Sequence, residues 1–115
     1  MQFHAERVTV SVAGDYYQLL FEAEEESDDP ESPYLILQRQ FEIEDSGRCS
    51  VETHDENFIG EFILEQLEFT RKRLLVSLDR PGDKEIVVTF GLSHSEFEKA
   101  SQVLKIISGE ISPFD

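Results

Sequence analysis

The stretch EIVVTFGLSHSEFEKASQVLKIISG, residues 85–109, contains the change of period that decides the fold class. In its first part, Ile86, Val88 and Phe90 alternate with other side chains, which is typical of a strand with one solvated face. Further on, apolar residues recur at helical spacing and predict an amphipathic helix over residues 93–108. The chain therefore combines strands with a helix.

The predicted helix has recognisable start and stop signals. Ser93 and Glu96 match a capping box, in which side chains satisfy backbone N–H groups at the start of a helix. Gly109 can adopt the left-handed conformation that ends many helices. The apolar positions expected to face the core are Phe97, Ala100, Val103, Leu104 and Ile107.

Upstream of the helix, the sequence shows pairs of strands joined by short turns. RLLVSL (73–78) and EIVVTF (85–90) alternate cleanly, and the segment between them contains a Pro-Gly turn signal. RVTVSVA (7–13) and YYQLLFEA (16–23) are separated by a Gly-Asp turn. Each pair is predicted to form an antiparallel hairpin.

Three more strands are predicted between these hairpins. They are PYLILQRQFEIE (33–44), CSVETH (49–54) and EFILEQLEF (61–69). In the third, the apolar residues change parity, so we expect a bulge near Glu65 or Gln66 that restores the register.

These elements predict a single α+β domain over residues 1–115. A chain of this length normally builds one hydrophobic core. We expect an antiparallel curved sheet of six or seven strands, largely a meander. The C-terminal helix, residues 93–108, would cover one face of that sheet.

The formal net charge of −15 is concentrated in the first part of the chain. Residues 1–68 hold 18 acidic and three basic residues, whereas residues 69–115 hold seven of each. Such a surplus either keeps the protein soluble or attracts a cationic partner, and both interpretations stay open. Nucleic acid is an unfavourable partner, because phosphate binding needs a basic surface.

The most acidic segment is EEESDDPESP, residues 24–33, which contains six carboxylates and two prolines. Prolines lack a backbone N–H donor and neighbouring carboxylates repel each other, so we predict an exposed acidic loop between two strands. The spacing does not match a calcium-binding loop.

No arrangement of residues predicts a reaction centre, a cofactor site or a metal site. Cys49 and His54 are five positions apart and would point to opposite faces of a strand. The three histidines fall in separate elements, and the glycines form no phosphate-binding loop. We therefore expect a protein without catalytic activity.

The N-terminal sequence lacks the pattern of a signal peptide, and no apolar stretch approaches the roughly 20 residues that cross a bilayer. A single cysteine fits a reducing compartment. We expect a soluble protein of the cytoplasm, with no membrane partner.

The segments YLILQRQFEIED, ENFIGEFILEQLEFTRKRLLVSL and VTFGLSHSEFEKASQVLKII resemble a family of small bacterial immunity proteins of polymorphic toxin systems, the family numbered ten. The similarity covers roughly residues 34–107 and lies in strand patterns and their order. It implies a cytoplasmic protein that binds a toxin domain and blocks it.

We accordingly expect a toxin inhibitor that binds a basic protein through an acidic surface with aromatic anchors. The alternative is a small-molecule-binding or regulatory α+β domain with an apolar pocket. A homodimer formed through an edge strand is left open. The candidate partner-binding residues are Glu24, Glu25, Glu26, Asp28, Asp29, Glu31, Tyr34, Asp55, Glu56 and Phe58.

Overall fold

The structure, a computed structural model, describes residues 1–23, 32–41 and 47–110. Within these ranges there are nine strands, one α-helix and one short 3-10 helix, Glu56–Phe58. The strands are β1 (Gln2–His4), β2 (Arg7–Ala13), β3 (Tyr16–Glu22), β4 (Tyr34–Gln40), β5 (Cys49–Thr53), β6 (Gly60–Phe62), β7 (Leu64–Phe69), β8 (Arg73–Leu78) and β9 (Glu85–Thr89), and the helix is α1 (His94–Ile107).

The strands form two sheets. One is an antiparallel meander of five strands in the order β2-β3-β4-β5-β6, and the other has four strands in the order β1-β9-β8-β7. Pairing in the second sheet is antiparallel except that β1 runs parallel to β9. The α+β class with a C-terminal helix is confirmed, but the prediction of one curved sheet of six or seven strands is wrong.

The chain changes sheet at Ile63, the residue between β6 and β7. The backbone N–H of Ile63 donates to Asp79 Oδ1 at 2.7 Å, which holds this crossing next to the end of β8. A 14-residue helix is only about 21 Å long and 10 Å wide, so it cannot cover the apolar faces of nine strands. Packing the two sheets against each other buries the remainder.

The core lies between the two sheets and α1. Phe21 of β3 contacts Phe90, which follows β9, with ring centroids 5.7 Å apart. The helix packs on β2, β3 and β4, and Phe97 of α1 stacks on Phe69 of β7 at 5.1 Å. Fully buried side chains from the strands and the helix include Leu19, Leu35, Leu37, Val51, Leu74, Val76, Leu78, Ile86, Val88, Leu104 and Ile107.

Most local predictions for the strands agree with the structure, but the single strand predicted over residues 61–69 is divided at Ile63 into β6 and β7, which belong to different sheets, and β1 was not predicted. Both predicted hairpins are present, as β2–β3 and β8–β9. Gly14, in the turn of the first hairpin, has a φ of 62°, a conformation that glycine adopts without steric cost. The predicted bulge is confirmed by a register shift between Leu64 and Gln66.

The helix begins and ends close to its predicted limits. Its N-cap is Ser93, whose Oγ accepts from the backbone N–H of Glu96 at 3.2 Å. In return, Ser93 N–H donates to Glu96 Oε1 at 2.9 Å. Hydrogen bonding from Ser93 to the carboxylate lowers the pKa of Glu96. At the other end, Arg39 Nη1 donates to the carbonyl of Ile107 at 3.2 Å and so ties β4 to the last turn.

Replacing Ser93 by Ala should lower the free energy of unfolding by about 1 kcal/mol, because the N–H of Glu96 loses its acceptor. Urea denaturation followed by circular dichroism measures the change. Gln102→Ala, at an exposed position of the same helix, is the matched control and should have little effect. Equal stability of the two variants would contradict the role of the cap.

Helices within the described ranges include none that is long and apolar enough to span a membrane.

Candidate functional site

The solvent-facing side of the five-stranded sheet carries uncharged side chains over its central strands. Tyr16 and Gln18 of β3 both bond to Gln38 of β4. The Tyr16 O–H donates to Gln38 Oε1 at 2.7 Å, and Gln18 Nε2 donates to the same oxygen at 3.2 Å. Leu20 and Ile36 pair directly across the same two strands and are half-buried. This face is therefore flat, ordered and without charge at its centre.

At β5 and β6, the solvent-facing side of this sheet carries acidic and exposed apolar side chains instead of neutral polar ones. Glu61 of β6 pairs with Ser50, and Glu52 of β5 pairs with Ile36, which places both carboxylates on the solvent-facing side. Ile59 precedes β6 in extended conformation, so it shares the side of Glu61.

Two large apolar side chains are unusually exposed here. Ile59 is 50% exposed and Ile63 is 41% exposed, and they flank Glu61 two residues away on either side. We call Glu52, Glu56, Ile59, Glu61 and Ile63 the acidic margin. Such a combination of apolar contact area and negative charge suits the recognition of a cationic protein surface.

Tyr34, at the start of β4, lies beside the acidic margin. Its O–H donates to Glu52 Oε2 at 3.1 Å. Burial raises the pKa of the Tyr34 phenol, and the hydrogen bond to Glu52 and the charge of Glu52 raise it further. The backbone N–H of Tyr34 donates to His54 Nδ1 at 3.2 Å, and the His54 ring meets Phe3 edge-on at 5.9 Å. His54 thus links the start of β4 to the turn that follows β5.

That turn contains Asp55 and Glu56, two further predicted site residues. Asp55 Oδ1 accepts from the backbone and side-chain nitrogens of Asn57, each at 3.0 Å, and so caps the 3-10 helix. Glu56 is exposed. Together with His54, these residues line an open acidic concavity of about 560 Å³. The structure therefore brings Asp55 and Glu56 together, and Tyr34 is joined to their neighbour His54 by its backbone N–H.

Phe58 is the predicted site residue that the structure places elsewhere. Its side chain is 3% exposed and belongs to the core, with the Arg80 guanidinium 4.6 Å from the centre of the ring. Phe58 therefore offers no exposed anchor in the free chain, and its role in partner binding stays a prediction. The remaining predicted residues, Glu24, Glu25, Glu26, Asp28, Asp29 and Glu31, lie outside the described residues.

Three acidic side chains in or next to the four-stranded sheet, Glu65, Glu68 and Asp79, differ from those of the margin because they have basic partners. Ion pairs form between Arg73 and Glu68 at 3.3 Å, Lys84 and Glu65 at 3.5 Å, and Arg48 and Asp79 at 3.2 Å.

Among the residues that the structure describes, the carboxylates of Glu52, Glu56 and Glu61 have no cation within ion-pair distance. Arg48 Nη1 donates instead to the backbone carbonyl of Glu61 at 3.4 Å. The sequence from 7 to 62, which contains the five strands of this sheet, holds 15 acidic and three basic residues, a net charge of −12.

Ile59 and Ile63 were missed by reasoning from the sequence. In FIGEFI, residues 58–63, Ile59 and Ile63 share the sequence parity of Glu61, which is the polar parity of this short stretch. Apolar residues on the polar side of a short strand were a signal that could have revealed them.

The alternative of an apolar small-molecule pocket can be compared with one further concavity among the described residues. A concavity between β7 and α1, lined by Leu67, Phe69 and Leu104 among others, has a volume of about 170 Å³. Ligand pockets usually measure about 300–1,000 Å³.

Metal coordination has no ready site in the described ranges either, since no three His, Cys, Asp or Glu side chains there converge on one point. Cys49 is buried in the core, on the other side of β5 from Glu52.

Comparisons with protein families, with curated proteins and with solved structures find nothing that matches this chain.

Proposed function

We propose that this chain is a non-catalytic inhibitor that binds a basic toxin domain and blocks it by occlusion, as an immunity protein does. The observation that carries the proposal is the acidic margin, in which Ile59 and Ile63 present apolar area on either side of Glu61. An inhibitor of this kind needs a rigid scaffold and a complementary surface, and it needs no reaction centre.

The two kinds of side chain in the margin have different roles in binding. Exposed apolar side chains supply affinity, because they lose contact with water when the complex forms. Carboxylates around them mainly increase the rate of encounter and select cationic partners. Glu61 lies between Ile59 and Ile63 in the chain, and Glu52 lies on the adjacent strand, which favours a basic protein over other classes of partner.

The resemblance in strand pattern to immunity proteins supports the same class of function. It also supports a location in the cytoplasm, where such a protein would meet a toxin made in the same cell. The partner to test first is the product of the neighbouring gene, purified as a catalytically weakened toxin domain. Inhibition of its activity should be complete at a one-to-one ratio.

Binding is expected to weaken as salt rises, because ions screen the carboxylates of the margin. The association rate constant, measured by stopped flow, should fall at least about tenfold between about 50 mM and 500 mM salt. The double variant Glu52→Gln and Glu61→Gln should flatten this dependence. Glu98→Gln is the matched control, because Glu98 is exposed on α1 and already lies 3.1 Å from His94.

Three results would contradict the proposal. They are a failure of the chain to bind the neighbouring gene product, an association rate that salt does not change, and turnover of a substrate by the purified chain.

A further inference from the structure

We propose that the chain forms a homodimer in which β2 pairs antiparallel with β2 of a second copy, so that two five-stranded sheets join into one. This inference rests on the free edge of β2 and does not depend on the proposed function. Within the described ranges, β2 is an outer strand of its sheet and pairs with β3 alone.

Four strands lie at the edges of the two sheets in the described part of the chain, and three of them are poor templates for pairing. β1 and β6 have only three residues each, and β6 carries Glu61 at its centre. β7 is interrupted by the bulge between Leu64 and Gln66 and carries further acidic side chains. Short length, charge and bulges are the features that protect a sheet edge from pairing.

The edge strand β2 has none of these protections. It is seven residues long, has continuous register with β3 from Arg7 to Ala13, and contains neither proline nor lysine. From Val8 to Ala13 it carries no charge. Val12 is 52% exposed, the largest exposed fraction among the large apolar side chains described. A long, regular and neutral edge is a favourable site for strand addition.

The hydrogen-bond pattern shows which backbone groups of β2 are available. Ala23 N–H bonds to the carbonyl of Pro33, and Phe41 N–H bonds to that of Asp15, so the odd-numbered residues of β3 bond to β4. Because bonding alternates along an antiparallel strand, the even-numbered residues of β3 bond to β2. Their partners in register are Arg7, Thr9, Ser11 and Ala13.

The backbone N–H and C=O groups of the three valines, Val8, Val10 and Val12, therefore point away from β3.

A second copy fits this edge because the sequence of β2 is nearly palindromic. With Val10 opposite Val10 of the other copy, Val8 meets Val12, and Thr9 meets Ser11. The three valine pairs would exchange about six hydrogen bonds. Val8 and Val10 already pack against the core, so the apolar face would continue across the dimer and cover Val12.

The acidic margin adds little electrostatic repulsion to this arrangement, although each chain carries a charge of −15. The acidic margin lies at β5 and β6, the far side of the sheet from β2, about 19 Å away at the usual spacing of strands. The two margins would therefore be about 40 Å apart in the dimer, several times the Debye length at physiological salt. Arg7 is the only basic residue of β2, and in the dimer it would lie opposite the neutral Ala13 of the other copy.

Analytical ultracentrifugation of the purified chain is the primary test. Because one pair of strands makes a small interface, we expect a dissociation constant on the order of 10–100 µM. Val10→Pro removes an outward N–H without breaking a bond to β3, and Val12→Lys places a charge on the edge. Each should raise the dissociation constant at least about tenfold. In a mixed sample of labelled and unlabelled chains, intermolecular NOEs should connect Val8 with Val12.

Ile59→Lys is the matched control, because Ile59 is almost as exposed as Val12 but lies near the opposite edge of the sheet. It should leave the dimer intact and weaken binding of the toxin domain, whereas Val12→Lys should do the reverse. A chain that stays monomeric up to about 1 mM would overturn the inference. So would a dimer that Ile59→Lys disrupts, or one that both β2 variants leave unchanged.

Discussion

Replacing Phe21 by Ala is expected to lower the free energy of unfolding by about 3–5 kcal/mol. Phe21 is 0% exposed and lies on β3. Its ring is 5.7 Å from the ring of Phe90, which directly follows β9 of the four-stranded sheet. The contact joins the two sheets across the core. Truncation removes the buried ring and leaves a cavity that rigid strands cannot close. Since a domain of this size is stable by only about 5–15 kcal/mol, a large part of its stability would be lost.

Leu20→Ala provides the matched control for this prediction. Leu20 is the neighbouring residue on β3, lies on the opposite face and is half-buried. Its truncation should cost about 1 kcal/mol, because the site is open to solvent and no closed cavity forms. Urea denaturation curves give both values. Equal losses for the two variants would mean that the sheets do not pack through Phe21.

Replacing Ile59 by Lys is expected to weaken binding of the toxin domain by about 100-fold, or 2.7 kcal/mol. The substitution removes an exposed apolar side chain from the centre of the acidic margin and adds a positive charge facing a basic partner. Both changes act against the complex. Because Ile59 is half exposed in the free protein, the fold should tolerate the change.

Isothermal titration calorimetry measures this loss, and circular dichroism confirms that the variant is folded. Val12→Lys makes the same kind of change at a similarly exposed apolar site on the other edge of the sheet. It should leave toxin affinity within about twofold of the original value. An equal loss in both variants would show that net charge alone controls binding, and no loss in either would place the interface elsewhere.

Local features of the fold could be predicted well, because they depend on neighbouring residues. The start of the helix is set by Ser93 and Glu96 and its end by Gly109, all within one turn of the helix ends. The hairpin turns are set by short segments that each contain one glycine, Gly14 or Gly82, and the bulge near Glu65 follows from the change of parity within residues 61–69. Each of these signals is complete within about ten residues.

The division into two sheets could not be predicted in this way. It depends on pairs that are distant in the sequence, above all the parallel pairing of β1 with β9, where Phe3 is aligned with Val88. Alternation shows that a strand has an apolar face, but it does not show which strand or helix will pack on that face. The number of sheets follows from how much apolar surface must be covered.

The candidate site was predicted only in part for a related reason. Clustered acids indicated a region of the surface in which Tyr34 bonds to Glu52, and in which Asp55 and Glu56 line one concavity. The burial of Phe58 was not evident, because aromatic residues next to acidic loops have the same sequence pattern whether they face the core or the solvent. Ile59 shows the converse, since an apolar residue near a three-residue strand carries too little periodicity to reveal its exposure.

By itself, the sequence determined the α+β class, the C-terminal helix, the hairpins and the excess of negative charge in the first 68 residues, because composition and short-range periodicity are properties of adjacent residues. Only the tertiary structure decided that the strands form two packed sheets, that Ile59 and Ile63 on either side of Glu61 remain exposed, and that β2 pairs with β3 alone among the described residues. These features arise from contacts between residues far apart in the chain. When one face of a sheet is buried by such contacts, the opposite face stays exposed to solvent.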